Sequence, residues 1–198
     1  MNHIPVADQD LWDGCRSGNS ASFGILFDRH ADALFRFCRS TCGSWHDAEE
    51  LVSIAFLEAW RKRGTITLEH DSLLPWLIGV ASNANLNRRR TLKRHSALIA
   101  KLPRDEATTA FELRVDEELD AWKETTSLMD NAGLSRPERS VAVLCLMYGY
   151  QYADAATMLG TPVGTVRSRL NRARKKLKAA AASPPHSSYI LTPEASQS

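Results

Sequence analysis

The sequence predicts an all-α protein of two small helical domains joined by a flexible linker, the C-terminal domain being a helix-turn-helix. Apolar residues recur at spacings of three and four, as in amphipathic helices, whereas alternating Val, Ile and Thr runs are nearly absent. Residues 96–114 combine many charges with little apolar periodicity, which is typical of a linker. The expected domains are therefore residues 1–95 and 115–182.

The composition is that of an ordinary globular protein, but the charge is unevenly distributed. The 198 residues are 43% hydrophobic and 24% charged, with a net charge of only +2. Basic blocks at 88–94 and 161–178 lie on either side of an acidic stretch at 105–124. This pattern predicts two modules that face DNA and an acidic connector that does not contact the DNA phosphates.

Domain 1–95 is predicted to begin with two helices, joined by a hinge near Gly18-Asn19. Gly43-Ser44 should break the second of them. Asp47 with Glu50 three residues later resembles a capping box, which predicts a third helix from Ala48 to Arg63.

This third helix has apolar residues around most of its circumference. Two interpretations stay open: part of the helix is a protein-binding surface, or it is the central helix of the core. The apolar residues concerned are Leu51, Val52, Ile54, Ala55, Phe56, Leu57, Ala59 and Trp60.

A loop at Gly64 to Ser72 is expected to precede a helix that starts at Pro75 and runs to about Arg90. One face of this helix carries an aromatic residue and two asparagines, and three arginines follow. This combination suits contact with the unstacked bases and the phosphate backbone of a nucleic acid. The alternative is that the tryptophan is core and the asparagines are merely solvated. The residues are Trp76, Asn83, Asn87, Arg88, Arg89 and Arg90.

In domain 115–182 a helix should resume near Val115. Ser135 with Glu138 then predicts a capping box and a helix with Val141, Leu144, Cys145 and Tyr148 facing inward. The last residues, 183–198, are rich in Ser and Pro and predict a disordered tail.

A helix-turn-helix follows. Residues 152–160 predict a short helix with a glycine C-cap, and Thr161 and Pro162 predict the N-cap and first position of the next helix. One stripe of that helix is apolar, comprising Val163, Val166, Leu170, Ala173 and Leu177. The face without acidic residues suits phosphates and base edges, and its candidate DNA contacts are Arg167, Ser168, Asn171, Arg172, Arg174 and Lys175.

No catalytic motif or cofactor signature is present in the sequence, so an enzyme is not expected. A zinc site could be drawn from Cys38, Cys42 and His46 with His30 nearby, but Gly43 interrupts their helix, and no metal is expected. Without a signal peptide or a long apolar run, we expect a cytoplasmic protein with reduced thiols and no membrane insertion.

Three segments in order resemble the extracytoplasmic-function (ECF) group of the sigma-70 family. Residues 47–52 with 56–60 are similar to the helix by which sigma factors grip core RNA polymerase. Residues 75–83 with 88–90 resemble the promoter-melting helix, and residues 162–174 resemble the helix that recognises the upstream element. The resemblance covers roughly residues 8–180.

The resemblance implies an alternative sigma factor that binds core RNA polymerase and promoter DNA, opens the promoter and leaves catalysis to polymerase. Trp76, Asn83, Asn87 and 88–90 would contact the −10 element, and the basic face of the last helix the −35 element. An anti-sigma factor is also expected. The polymerase-binding residues implied are Asp47, Glu50, Leu51, Phe56, Leu57 and Trp60.

The chain departs from the family pattern at Asp154-Ala155-Ala156, where Glu-Ile-Ala is common, which predicts looser packing between the two motif helices. Asn171 occupies a variable recognition position, so the promoter sequence stays open. The competing hypothesis is a stand-alone helix-turn-helix regulator. It explains the C-terminal domain but leaves residues 47–60 and 75–90 without a role.

Overall fold

The computed structural model describes residues 6–42, 44–68, 71–99 and 127–182. These ranges contain helices and no β-strand, which confirms the all-α class. Residues 127–131 are also helical, and Val143–Met147 form a π-helix that continues α5. The α-helices are α1 (Asp8–Arg16), α2 (Ser20–Cys42), α3 (Trp45–Arg61), α4 (Leu74–Ile99), α5 (Arg136–Ala142), α6 (Tyr152–Leu159) and α7 (Val163–Ala182).

The hinge between α1 and α2 lies where the sequence predicts it. Gly18 has a φ of +91°, a backbone conformation that side chains disfavour. The Asn19 side chain then accepts hydrogen bonds from the backbone N–H groups of Ala21, at 2.9 Å, and Ser22, at 3.3 Å. This cap starts α2, so the turn and the new helix are specified by adjacent residues.

Helix α3 is the central helix of the N-terminal bundle, a name we give to α1–α4. It packs between α2 and α4, and its residues Leu51, Ala55 and Ala59 are fully buried. The predicted start at Ala48 is wrong. Ser44 is the N-cap and its hydroxyl accepts from the Asp47 N–H at 3.4 Å, so Asp47 is inside the first turn.

Helix α1 is fastened to the chain that leads into α4. Trp12, fully buried, donates from its indole nitrogen to the Ile66 carbonyl at 3.3 Å. The Arg16 guanidinium donates to the same carbonyl at 2.6 Å. The buried Asp8 carboxylate accepts from the Leu73 N–H at 2.9 Å, one residue before α4 begins.

Helix α4 buries one face, formed by Leu77, Ile78 and Ala81, against the bundle. It extends to Ile99, so the predicted end near Arg90 is wrong. Good helix formers such as Leu92 and Arg94 follow the arginine run, and no proline or glycine stops the helix there.

The C-terminal bundle, residues 127–182, contains the predicted capping box. The Glu138 carboxylate accepts from the Ser135 N–H at 2.9 Å and from its hydroxyl at 2.8 Å. The π-helix that follows was not predicted. Its wider turn buries Val143 together with Leu144, while Cys145 and Tyr148 are only half-buried.

Helices α6 and α7 form the predicted helix-turn-helix. Gly160 ends α6 with a φ of +57°, as its C-cap role requires. The predicted cap of α7 is wrong. The Pro162 carbonyl accepts the first helical hydrogen bond, from Thr165 at 2.9 Å, and the buried Thr161 hydroxyl has no partner among the described residues. Val163 starts the helix and is exposed, unlike the rest of the predicted apolar stripe.

The two bundles pack against each other. Helix α6 lies on α4, and α5 lies on α2. The Tyr148 hydroxyl donates to the Ala33 carbonyl at 2.6 Å. A Cβ built on Gly79 would lie 3.6 Å from the Met158 carbonyl oxygen, so the small residue at this position permits the close approach of α6.

Several predictions fall outside the described residues. They are the helix resuming near Val115, the linker beyond Ile99 and the tail at 183–198. In the part of the chain that the structure describes, no helix is both long enough and apolar enough to cross a membrane.

Candidate nucleic-acid interface

Helix α7 presents its predicted DNA-contacting face to solvent. Its opposite face is anchored in the C-terminal bundle by Val166, Leu170 and Ala173, which are all buried, and this burial fixes the rotation of the helix. The outward residues therefore form one continuous basic and hydrogen-bonding surface of the kind that enters a major groove. All six predicted residues are exposed: Arg167, Ser168, Asn171, Arg172, Arg174 and Lys175.

One acidic residue fixes the edge of this face. Glu138 contacts the Lys176 ammonium at 2.8 Å and the Arg172 guanidinium at 3.5 Å. The hydrogen bond from Lys176, with those from Ser135, lowers the pKa of Glu138 to about 2 despite the opposing effect of burial. The same carboxylate thus caps α5 and orients two cations of α7.

The predicted −10 face of α4 lies beside α6. Trp76 is half-buried and packs against the core, while Asn83 and Asn87 are exposed. Trp76 and Asn83 line a cavity of about 210 Å³ whose opposite wall includes Met158. In this arrangement the tryptophan is part core and part cavity wall, and its contact with unstacked bases stays a prediction.

The three arginines of α4 have different surroundings. Arg88 forms ion pairs with Asp47 and with Glu50, the latter at 3.5 Å. The hydrogen bond to Asp47 raises the pKa of the Arg88 guanidinium above its usual value. Arg90 is exposed, and Arg89 is half-buried. The structure therefore joins one predicted DNA contact to two predicted polymerase contacts.

The predicted polymerase-binding residues of α3 divide into buried and accessible groups. Leu51 and Phe56 are 1% and 4% exposed, so in the isolated chain they are core residues that pack beneath the accessible side chains of α3. Leu57 is 58% exposed, Trp60 is half-buried, and Asp47 and Glu50 form the ion pairs described above. The helix is thus both a core helix and an apolar surface.

Two residues that the sequence did not assign to this surface complete it. Phe27 lies 4.7 Å from Phe56 and Phe23 lies 5.0 Å from Trp60, measured between ring centroids. Phe27 is 43% exposed. The spacing of four between Phe23 and Phe27 shows that they share a face of α2, but nothing local indicates that they meet α3.

The cysteines and histidines considered for zinc do not form a recognisable metal site. Within the described ranges, no three His, Cys, Asp or Glu side chains converge as metal ligands. Burial raises the pKa values of the Cys38 and Cys42 thiols, which favours the neutral thiol over the thiolate that binds metal.

Comparison with known proteins identifies both bundles. The sigma-70 region 2 family matches residues 26–95, and the sigma-70 region 4 family matches residues 132–177. The ECF RNA polymerase sigma factor SigM of Mycobacterium tuberculosis is 31% identical over 173 residues, covering 86% of this chain and 83% of that protein. The RNA polymerase sigma factor NccH of Alcaligenes xylosoxydans xylosoxydans is 30% identical over 178 residues, covering 88% and 95%.

Solved structures show the same architecture. CnrH, in complex with the cytosolic domain of CnrY, has a TM-score of 0.60 and 28% identity, covering 90% of this chain and 100% of that one. The sigma factor RpoE of Bartonella quintana, in complex with the anti-sigma factor NepR, has a TM-score of 0.62 and covers 80% of this chain and 96% of its own. Because its identity is 23%, this likeness supports the fold alone. This chain belongs to the ECF group of sigma-70 family sigma factors.

Proposed function

We propose that this sigma factor binds core RNA polymerase through α3, reads the −35 element with α7, and captures the opened −10 element with α4. The observation that best supports the proposal is the orientation of α7. Its apolar stripe is buried in the C-terminal bundle, and its six predicted DNA contacts are all exposed. The chain contributes no catalysis, which belongs to polymerase.

At the −35 element, side chains near the start of α7 would contact base edges. Arg167, Ser168, Asn171 and Arg172 project from the exposed face and can donate or accept hydrogen bonds in the major groove. Arg174 and Lys175 lie further along and would contact phosphates, which position the helix without reading sequence.

At the −10 element, Asn83 and Asn87 would hydrogen-bond an extruded base, with Trp76 forming part of the pocket wall. Extrusion costs a few kcal/mol of stacking, which amide hydrogen bonds can offset. Arg89 and Arg90 would contact the backbone of the opened strand. While Arg88 is paired with Asp47, it would position α4 on α3, and it could contact the strand only when that pair is broken.

The polymerase-binding surface would consist of Leu57 and Trp60 with the neighbouring Phe27. An exposed leucine and an exposed phenylalanine beside a half-buried tryptophan form an apolar, aromatic-rich surface of the kind found at interface cores. Leu51 and Phe56, which are buried, would contribute indirectly by packing against the core and fixing the position of α3.

An anti-sigma factor is the expected regulator of this chain. CnrH, which is 28% identical to this chain, was solved in complex with a protein partner, the cytosolic domain of CnrY. We place the action of the chain in the cytoplasm, where bacterial RNA polymerase transcribes.

Run-off transcription with core polymerase on a genomic promoter library tests the proposal. The full chain should produce new start sites that share two upstream elements. Leu57→Asp should abolish them, and Leu128→Asp, at a similarly exposed leucine of the C-terminal bundle, should not. Specific DNA binding without polymerase and without new start sites would favour the stand-alone regulator instead.

A further inference from the structure

A cleft lined by both polar and apolar residues lies between the two bundles, apart from the predicted base pocket and from the exposed face of α7. We call it the interdomain cleft and define it by Ser82 and Arg89 of α4, Arg136 of α5, Thr161 of the helix-turn-helix turn, and Arg169 of α7. Its cavity volume is about 190 Å³. Each bundle contributes part of the wall.

No described carboxylate balances the charge of the interdomain cleft. Three arginines line it, Arg89, Arg136 and Arg169, and no acidic residue does. Within the described ranges, none of the three forms an ion pair, in contrast to Arg88, Arg139 and Arg172, which all do. Like charges grouped without a counter-charge repel one another, so this cleft favours an anion.

Two hydroxyl groups supply an independent indication. Ser82 and Thr161 are among the residues that line the same cleft, and their hydroxyl oxygens are buried with no hydrogen-bond partner among the described residues. A buried polar atom without a partner is unfavourable, and a bound ion is one recognised explanation. Water could satisfy the hydroxyls, but it could not neutralise three guanidinium groups.

The donor set indicates the chemistry of the anion. Guanidinium forks match the oxygens of phosphate groups, and hydroxyls donate single hydrogen bonds to the same oxygens. We propose that the interdomain cleft binds a diphosphate group, free or as part of a nucleotide, and that this ligand bridges the two bundles. The cleft shares Arg89 with the proposed −10 contacts, whereas Ser82, Arg136, Thr161 and Arg169 have no role in the proposed function.

Calorimetric titration of the full chain with sodium pyrophosphate, at constant ionic strength, tests the site. We expect saturable binding of one pyrophosphate per chain. Arg136→Gln should weaken it at least tenfold, because one of three charge-assisted contacts is lost. Arg61→Gln is the matched control, since Arg61 is an exposed arginine of α3 outside the cleft. Equal weakening by both variants, or no saturation, would overturn the proposal.

A second pair of variants tests whether both bundles are required. Gly79→Trp should separate α6 from α4 and weaken pyrophosphate binding without altering any residue of the cleft wall. Gly79→Ala should bind normally, because a methyl group fits at 3.6 Å from the Met158 oxygen. A folded Gly79→Trp protein, shown by circular dichroism, that bound pyrophosphate like wild type would overturn the interdomain assignment.

The source of the diphosphate is distinguished by a parallel titration with ADP. Tighter binding of ADP than of pyrophosphate would identify a nucleotide ligand, and equal or weaker binding a free diphosphate. Binding of ADP together with no binding of pyrophosphate would contradict recognition through the diphosphate. Displacement of pyrophosphate by a short DNA duplex, with the same sensitivity to Arg136→Gln, would instead place these arginines in a DNA-binding surface.

Discussion

Replacing Asp8 with asparagine should destabilise the N-terminal bundle, because three donors converge on this buried carboxylate. Asp8 is 5% exposed and accepts from Arg29 and His30, each at 2.5 Å, and from the Leu73 N–H at 2.9 Å. Asparagine has nearly the same shape but only one acceptor oxygen. Its amide N–H₂ would have to face a donor, leaving at least one polar group unsatisfied.

The pKa of Asp8 gives the magnitude. Burial alone would raise it, but the hydrogen bonds from His30, Leu73 and Arg29 outweigh burial and lower the pKa from 3.8 to about 2. At roughly 1.36 kcal/mol per pKa unit, this shift corresponds to about 2 kcal/mol of native-state stability. Because the folded pKa is the lower one, that contribution is complete above about pH 5 and is lost as the pH falls towards 2.

Urea unfolding of the full chain, followed by circular dichroism at pH 7 and at pH 3, measures this contribution. At pH 7, Asp8→Asn should lower the free energy of unfolding by about 2 kcal/mol, and the deficit should shrink at pH 3. Asp10→Asn is the matched control, because Asp10 is an exposed residue of the same helix. Equal stability of the two variants at pH 7, or a loss of unfolding free energy in Asp8→Asn that is the same at pH 7 and pH 3, would refute the reasoning.

Four further predictions concern the binding surfaces and the C-terminal bundle. Arg172→Ala should cost about 1–3 kcal/mol of affinity for the preferred −35 sequence in binding titrations, whereas an equal loss on every sequence would indicate a phosphate contact only. Asn83→Ala should impair promoter opening more than duplex binding, and normal permanganate reactivity of −10 thymines would contradict this. Leu57→Asp should weaken core polymerase binding in a fluorescence titration while Leu128→Asp does not; loss of helicity in the first variant would point to a core role. Glu138→Gln should destabilise the C-terminal bundle at pH 7, and the deficit should vanish as pH falls from about 5 towards the pKa of about 2, which thermal melts across that range can check.

Local signals in the sequence predicted those elements whose determinants are adjacent residues. Gly160 ends α6, and Glu138 caps α5 together with Ser135, as their spacing indicates. These features depend on one turn of backbone, so a short sequence pattern is sufficient to specify them. The buried stripe of α7 was predictable for the same reason, apart from Val163 at its exposed end.

Features that depend on competing local signals or on tertiary packing were not predictable. Ser44 and Asp47 both suit an N-cap, and the earlier residue is the one used. The π-helix at 143–147 adds a residue to a turn, which shifts the buried face in a way that regular periodicity does not anticipate. The pairing of Arg88 with Asp47 joins residues 41 positions apart in the chain, so a charge run on α4 gave no indication of it.

The Arg88 ion pairs have a thermodynamic consequence for the proposed binding sites. Asp47 and Glu50 begin the proposed polymerase-binding helix, and Arg88 belongs to the helix proposed to hold the opened strand. A polymerase group that competes for either carboxylate would release the guanidinium towards phosphate and so increase affinity for the strand. Linkage requires the converse in equal measure: strand binding that draws Arg88 away makes the carboxylates more available to polymerase. One ion-paired arginine would thus give the two ligands positive cooperativity without any large movement of the helices.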